Sequence, residues 1–187
     1  MIEWVLLSIL VGIINLTNIR FGLLFIGEPL VIGLLTGLYV QDMALGLYIG
    51  AVFQFMWIKS IPIGVKVQVN YTIMTFISVM LIHGYGDSVF PLVFFFGYLF
   101  SLLGRLMEIS MKRMSNRFVE RMMKDIENVK FVRSHLLFLF FHAVVFSALA
   151  FFGLQLSDLM VNFLAPLLPE KLKDAFSFTY PFLALYA

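Results

Sequence analysis

The 187-residue sequence contains no cysteine and very little charge. Without cysteine there can be no disulfide and no thiolate metal ligand. Charged residues make up only 13% of the chain, and the formal net charge is +2. Nucleic-acid-binding proteins carry strongly basic surfaces, so we expect no nucleic acid among the partners.

Hydrophobic residues make up 61% of the chain. A helix needs about 20 apolar residues to cross a bilayer, with roughly 17 as the short limit. Several uncharged runs reach or approach that length. They therefore predict an all-α, polytopic integral membrane protein that forms one membrane domain over residues 1–187. The uncharged runs are residues 4–19, 29–41, 43–58, 67–86, 88–104 and 134–157.

One apolar stretch, residues 27–70, nevertheless keeps several polar side chains. Polar groups in hydrocarbon are costly, so such a segment is a candidate functional site. It also contains two glycine pairs, Gly33/Gly37 and Gly46/Gly50, on either side of Asp42, which predict two helices packed tightly around that residue. We also expect this small-residue face to need a partner or a second copy to exclude lipid. Its polar residues are Glu28, Asp42, Gln54, Lys59, Lys66 and Asn70.

Two of these carboxylates have competing interpretations. Pro29 disfavours helical geometry at the preceding residue, which predicts a kink or a helix start there. Glu28 is then either a helix-end cap or a functional group near the exposed donors of that helix. Asp42 is either solvated at a turn or buried as a partner for a cation or a substrate hydroxyl.

The sequence Ile61-Pro62-Ile63-Gly64 interrupts the apolar pattern between two short helical segments. This predicts a re-entrant hairpin around residues 43–83, and the alternatives are an interfacial loop or two full spans. Proline lacks a backbone donor and glycine permits open backbone, which leaves backbone groups free to bind a polar substrate. We predict a substrate site formed by these four residues with Gln54 and Asn70, and with Asp42 as a second-tier candidate.

The second half of the chain alternates apolar and charged segments. We expect a turn at residues 83–87 and a membrane helix at residues 90–106. Residues 105–133 hold eight basic and four acidic residues and predict an amphipathic cytoplasmic helix. A membrane helix at residues 134–153 follows. We expect four residues to interrupt helical structure in the tail after it, and the apolar end at residues 175–187 is too short to span the membrane. The four tail residues are Asp158, Asn162, Pro166 and Pro169.

His135 and His142 are the closest approach to a catalytic or metal-binding set. They are seven residues apart, but the sequence offers no clear third metal ligand. A membrane enzyme using them with Asp158 would need converging groups at suitable spacing, which the sequence does not show. We therefore predict no metal site, no cofactor and no catalytic residue.

The motifs of the polar stretch resemble the IIC subunit of mannose/sorbose-family sugar phosphotransferase systems. The resemblance covers about residues 20–155 and is motif-specific over residues 28–70. The Pro-Ile-Gly form with a later Asn is most similar to the sorbose and N-acetylgalactosamine branch. The matching features are Glu28-Pro29-Leu30, the glycine pair 33/37, Gln41-Asp42, the glycine pair 46/50, Gln54, Pro62-Ile63-Gly64 and Asn70.

This resemblance implies a multi-pass sugar permease in the bacterial inner membrane. It implies pairing with a IID membrane subunit, an oligomeric assembly, and cytosolic IIA and IIB proteins that pass a phosphoryl group to the sugar. The IIC chain itself is implied to be a transport subunit that carries no phosphohistidine. Chains of this family run longer at the carboxyl end, which indicates a truncated, short or divergent member.

The main alternative is the substrate-binding membrane subunit of another transporter, such as a vitamin-capture component. A compact helical bundle of this length also fits that class. The Asp42 motif followed by the Pro-Ile-Gly break favours the phosphotransferase interpretation.

Overall fold

The computed structural model describes residues 2–21, 26–58, 69–123, 131–171 and 173–174, and these residues form helices and turns without a strand. The structure confirms the predicted all-helical class. Six helices of the described part have defined bounds, and two 3-10 turns cover residues 87–89 and 165–167. The helices are α1 (Ile2–Phe21), α2 (Pro29–Tyr39), α3 (Met43–Ile58), α4 (Tyr71–Tyr85), α5 (Phe90–Met123) and α6 (Phe131–Leu164).

Helix α4 is the centre of the bundle. It packs against each of the other five helices. Its residues 72–79 are all buried, and Ile73, Met74, Phe76 and Ile77 have no exposed surface. A helix that is apolar on every side is the expected core of such a bundle, because no face of it meets water.

Helices α2 and α3 form a tight hairpin through the two glycine pairs. The turn at residues 40–42 reverses the chain, and Gln41 there adopts a φ of 60°. A Cβ added to Gly33 would meet the carbonyl oxygen of Gly46, and one added to Gly37 would lie 2.9 Å from the Cα of Gly46. The two helices therefore pack tightly through these glycines, as predicted. The prediction that the glycines need a partner or a second copy is wrong, because they already pack against each other.

Helices α5 and α6 are longer than the sequence predicted. Helix α5 is continuous to Met123, so the membrane helix predicted to end at residue 106 and the first part of the amphipathic segment are one helix. No proline interrupts it, and Arg, Met, Glu and Lys are good helix formers. Helix α6 continues past Asp158 and Asn162 and ends at Leu164, just before Pro166. Those two polar residues therefore do not break the tail.

Asp158 fits inside α6 because its carboxylate has a partner. The Tyr85 hydroxyl donates to Asp158 Oδ1 at 2.9 Å, at the carboxyl end of α4. Gly86 ends α4 with a φ of 79°, a conformation that favours glycine. The turn predicted over residues 83–87 thus begins only at Gly86, since α4 includes His83, and it continues into the 3-10 turn at residues 87–89.

Helix lengths differ widely within the bundle, and α1, with 20 residues, lies between the extremes. Helices α5 and α6 have 34 residues each and are long and apolar enough to cross a membrane. Helices α2, α3 and α4 have 11, 16 and 15 residues, or roughly 16–24 Å, which is shorter than a hydrocarbon core of about 30 Å. Residues 61–64, the predicted hairpin break, lie outside the described residues, so the re-entrant hairpin stays a prediction.

The glycine hairpin makes a direct stability prediction. In Gly46→Ala, the new Cβ would lie 2.6 Å from the Cα of Gly37 and against the Gly33 carbonyl oxygen. We expect a loss of about 1–3 kcal/mol in the free energy of unfolding, because backbone cannot move aside as a side chain can. Unfolding of purified protein in detergent measures it.

Gly84→Ala is the matched control, since a Cβ there meets nothing within 4 Å. Alanine is about 0.5–1 kcal/mol better than glycine in a helix, so this variant should be as stable as the parent or slightly more. Equal losses in the two variants would contradict the packing role of the hairpin.

Candidate functional site

Asn70 is the central residue of the polar site. It stands at the amino-terminal end of α4, where its Oδ1 accepts a hydrogen bond from the backbone N–H of Ile73 at 3.1 Å. Its own backbone N–H donates to the carbonyl oxygen of Ser101 on α5 at 3.2 Å. Asparagine is favoured at this position because it satisfies a helix donor that otherwise lacks a partner.

The amide nitrogen of Asn70 joins three helices. Nδ2 donates to Oδ1 of Asn15 on α1 at 2.8 Å and to Oε1 of Glu108 on α5 at 2.5 Å. The other carboxylate oxygen of Glu108 accepts from Nη1 of Arg105 at 2.8 Å. Asn15, Asn70 and Glu108 are 1%, 4% and 8% exposed. We call these four residues the Asn70 junction.

A second polar contact joins α3 to the start of α2. Nε2 of Gln54 donates to Oε2 of Glu28 at 3.0 Å. Pro29 is the first residue of α2, as predicted, but the Glu28 side chain makes no capping hydrogen bond to that helix. Glu28 thus occupies the helix end that the cap interpretation predicts, but its carboxylate makes no hydrogen bond to the helix backbone. Its carboxylate points instead to a side chain of the neighbouring helix.

The Glu28–Gln54 pair and the Asn70 junction lie around the same end of α4. The Thr72 hydroxyl donates to the carbonyl oxygen of Gly27 at 3.0 Å, which ties the residue before Glu28 to the first turn of α4. Tyr71 is close enough to Glu28, Glu108 and Arg105 to interact electrostatically with all three. Carboxylates suit this place, because the amino-terminal end of a helix carries a partial positive charge.

Three polar atoms of this site are buried without a hydrogen-bond partner in the described part of the chain. They are one acceptor, Gln54 Oε1, and two donors, Asn15 Nδ2 and Arg105 Nε. An unpaired buried polar group costs about 1–3 kcal/mol, so native proteins keep few of them. A hydroxyl group suits both kinds of atom, since it both donates and accepts.

The predicted site residues fall into three groups. Gln54 and Asn70 lie at the same end of α4, on the helices that flank the interruption. Both amide hydrogens of Asn70 and its backbone N–H are used within the protein, whereas Gln54 keeps a free acceptor. The break residues Ile61, Pro62, Ile63 and Gly64 lie outside the described residues.

Asp42 is at a different place from the other candidates. Its Oδ1 accepts from the backbone N–H of Leu45 at 3.0 Å, so it caps α3 at the turn after α2. Gln54 is twelve residues further along α3, or roughly 18 Å. The structure therefore places Asp42 at a turn, the first of its two interpretations.

Three residues of the site were missed by the sequence analysis. Asn15 lies inside α1, in a run noted only as uncharged, and Arg105 and Glu108 were assigned to the charged cytoplasmic segment. The missed signal is a stripe on α5 with helical spacing, in which polar and small residues alternate with core residues. The buried members are Gly97, Ser101, Gly104, Glu108 and Met111. A Cβ on Gly104 would lie 3.1 Å from the Asn70 Cβ, so this glycine lets Asn70 approach α5.

Two other features of the bundle do not resemble a polar binding site. His142 is buried and stacks on Phe146, with ring centroids 4.6 Å apart. A groove of about 540 Å³ between α1 and α6 is lined mainly by apolar residues such as Val5, Phe140 and Phe152. Neither brings together carboxylate and amide groups.

Two solved structures share this fold. One, described only as a membrane protein, has a TM-score of 0.74 and 17% identity over 98% of this chain and 75% of that chain. The other is the mannose transporter ManYZ in complex with a microcin, with a TM-score of 0.57 and 16% identity over 100% of this chain and 76% of that chain. A comparison with curated proteins finds no significant match.

The family comparison covers almost the whole chain. Residues 1–184 match the EII-Sor family, whose description is the sorbose-specific IIC component of a PTS system. The sequence resemblance, limited to residues 20–155, is thereby confirmed and extended at both ends. This helical membrane protein belongs to the sorbose-specific IIC family of the sugar phosphotransferase system, a family of transport subunits.

Proposed function

We propose that this chain is the sugar-permease subunit of a phosphoenolpyruvate-dependent phosphotransferase system, with its sugar site at the amino-terminal end of α4. The observation that carries the proposal is the set of buried polar atoms without partners at Gln54, Asn15 and Arg105. They belong to helices α3, α1 and α5, which pack against α4, and a sugar has the hydroxyl groups that can supply the missing donors and acceptors.

The residues of this site have different roles in the proposal. Gln54 and Glu28 bind sugar hydroxyls directly, because Gln54 Oε1 is an open acceptor and the Glu28 carboxylate can accept several hydrogen bonds. Backbone groups of residues 61–64 complete the contact. Asn70 is a positioning residue, since its amide hydrogens already hold α1 and α5. Asp42 stays a second-tier candidate that a sugar would meet elsewhere on its path.

The depth of the site suits phosphorylation from the cytosol. Glu108 is eighteen residues after Phe90 on α5, or roughly 27 Å, which is close to the thickness of a hydrocarbon core. If Phe90 lies at the outer boundary, the site is near the inner one. Cytosolic IIA and IIB proteins then transfer a phosphoryl group to the bound sugar, and this chain is not itself phosphorylated. A IID membrane subunit completes an oligomeric permease.

Gln54→Ala tests the site. Removing one hydrogen-bonding side chain from a buried polar site costs about 1–3 kcal/mol, which is roughly 5- to 150-fold in affinity. We expect that loss in the binding of the preferred hexose to purified protein, measured by calorimetry, with membrane expression unchanged. Asn116→Ala, an exposed change on α5, is the control and should leave affinity unaltered.

Two results would contradict the proposal. If Gln54→Ala bound the sugar as tightly as the parent, the site would be elsewhere. If purified protein bound a vitamin and no hexose, the vitamin-capture class of transporter would replace the phosphotransferase assignment.

The proposed topology places the protein in the bacterial inner membrane with several crossings. The basic part of α5 is cytoplasmic, because Lys112, Arg113 and Arg117 are exposed and basic segments are rarely translocated. The natural chain has no cysteine, so single cysteines report position cleanly. In intact cells, an impermeant thiol reagent should label Asp87→Cys and spare Asn116→Cys.

Both positions are exposed in the structure, so the two variants control each other. Both should be labelled after the membrane is permeabilised. Labelling of Asn116→Cys from outside intact cells would contradict the orientation.

A further inference from the structure

One face of α5 is turned away from the bundle, and it is apolar first and basic afterwards. Phe95, Leu99 and Leu106 on this face are 59%, 43% and 58% exposed. Arg113 and Arg117 follow further along the helix and are exposed as well. A helix turns by about 100° per residue, so these five side chains lie within about 40° of one another around the axis. We call this face the exposed stripe, and it lies opposite the residues that pack against α4.

The basic end of the exposed stripe carries charge that the described protein does not neutralise. Between Glu108 and Glu120 the sequence has three basic residues and no acidic one. Glu108 is buried and already paired with Arg105. Neither arginine of the stripe has an ion-pair partner in the described part of the chain. Both are therefore open to an anion from outside the chain.

The basic end also has a defined depth in the proposed orientation, in which Phe90 lies at the outer boundary of the hydrocarbon. Leu106 is then roughly 24 Å inward along α5, and Arg113 roughly 34 Å. The hydrocarbon core is about 30 Å thick, and each polar headgroup layer adds about 5–8 Å. Leu106 therefore lies among acyl chains and Arg113 among the inner headgroups. Arg117 is one turn closer to the cytoplasm, but helical side chains lean toward the amino-terminal end, which here brings its guanidinium back toward the membrane.

A phospholipid matches both parts of the exposed stripe. The planar guanidinium group binds phosphate through paired hydrogen bonds and keeps its charge at physiological pH. Arg113 and Arg117 are one helical turn apart, so both can reach one phosphate. Leu106 is two turns before Arg113, or roughly 10 Å, which an acyl chain can follow. Anionic lipid is also the anion already present at this depth, whereas a free phosphate or an acidic protein would account for the arginines alone.

We infer that the exposed stripe is a binding site for one anionic phospholipid of the inner leaflet. Arg113 and Arg117 hold its phosphate, and an acyl chain lies along Leu106, Leu99 and Phe95. The inference goes beyond the proposed function and takes from it only the orientation of α5. Interfacial arginines help to set the depth and tilt of a membrane helix. The bound lipid therefore fixes the helix whose other face carries the Asn70 junction.

Native mass spectrometry of the delipidated full chain, alone and with its co-purified membrane partner subunit, tests the inference. The probes are phosphatidylglycerol, phosphatidylcholine and soluble glycerol phosphate. Phosphatidylcholine has the same phosphate and acyl chains but no net charge, and glycerol phosphate has the anion without the chains. We expect phosphatidylglycerol to bind about tenfold or more tightly than phosphatidylcholine, the usual scale for a charge-assisted hydrogen bond. Glycerol phosphate at the same concentration should not displace it.

Two neighbouring basic residues provide a matched pair of variants. Arg113→Gln removes the charge and the paired donors, and it should weaken phosphatidylglycerol binding about tenfold. Lys112→Gln removes the same charge at nearly the same depth, but Lys112 lies about 100° away around the helix. That control should change the affinity by less than about twofold. Arg113→Lys keeps the charge without the planar fork, and its affinity should lie between those of the parent and Arg113→Gln.

Four results would overturn the lipid site. Equal binding of the two lipids would remove the role of charge, and equal losses in Lys112→Gln and Arg113→Gln would show a diffuse attraction instead of a site. Displacement by glycerol phosphate would make a soluble phosphate the ligand. Binding that disappears when the partner subunit is present would make the exposed stripe a protein interface.

Hexose binding, measured on the same samples, separates this inference from the proposed function. The exposed stripe takes no part in the sugar site, so all three variants should bind hexose as the parent does. Loss of lipid selectivity with hexose binding intact contradicts the lipid site alone. Selective lipid binding without any hexose binding contradicts the proposed function alone.

Discussion

The hydrogen bonds of Asn70 are the interaction on which the rest of this structure depends. A helix that starts inside an apolar bundle exposes backbone donors that water cannot reach. Asn70 satisfies one of them with its Oδ1 and uses its Nδ2 to hold Asn15 and Glu108. One side chain thus allows α4 to begin in the interior and fixes α1 and α5 around that point.

The short helices α2 and α3 also contribute to the polar site at the start of α4. Because α2 and α3 contact through glycines, their backbones approach closely and the hairpin occupies little space beside α4. That leaves Glu28 and Gln54 facing each other near the start of α4. At the other end of α4, Tyr85 is bonded to Asp158 of α6. The central helix is therefore held by polar contacts at both ends and by apolar packing between them.

The sequence predicted those parts of the fold that depend on local signals. Proline at position 29 marked a helix start, the glycine pairs marked close packing, and the polar side chains of Gln54 and Asn70 marked the helices that flank the interruption. The sequence did not predict the partners of these residues. Asn15 and Glu108 are separated from Asn70 by 55 and 38 residues, and only tertiary packing brings them together.

The number of charged residues in α5 led to a wrong prediction for a related reason. The basic residues that follow Glu108 made the whole segment resemble a solvated helix, yet burial changes within a few residues along one helix face. Glu108 is buried and Lys112, one turn later, is exposed. Asp42 is the opposite case. It was a functional candidate because it is a polar residue in an apolar stretch, and in the structure its carboxylate caps α3.

A double-mutant cycle between Asn15 and Asn70 tests the central claim most directly. The free energy of unfolding in detergent would be measured for the parent, Asn15→Ala, Asn70→Ala and the double variant. If the junction joins α1 to α4, the two losses are not additive. The loss in the double variant is then smaller than the sum of the two single losses by about 1 kcal/mol or more. Losses that add to within about 0.5 kcal/mol would show that the two residues act independently, which would contradict the account.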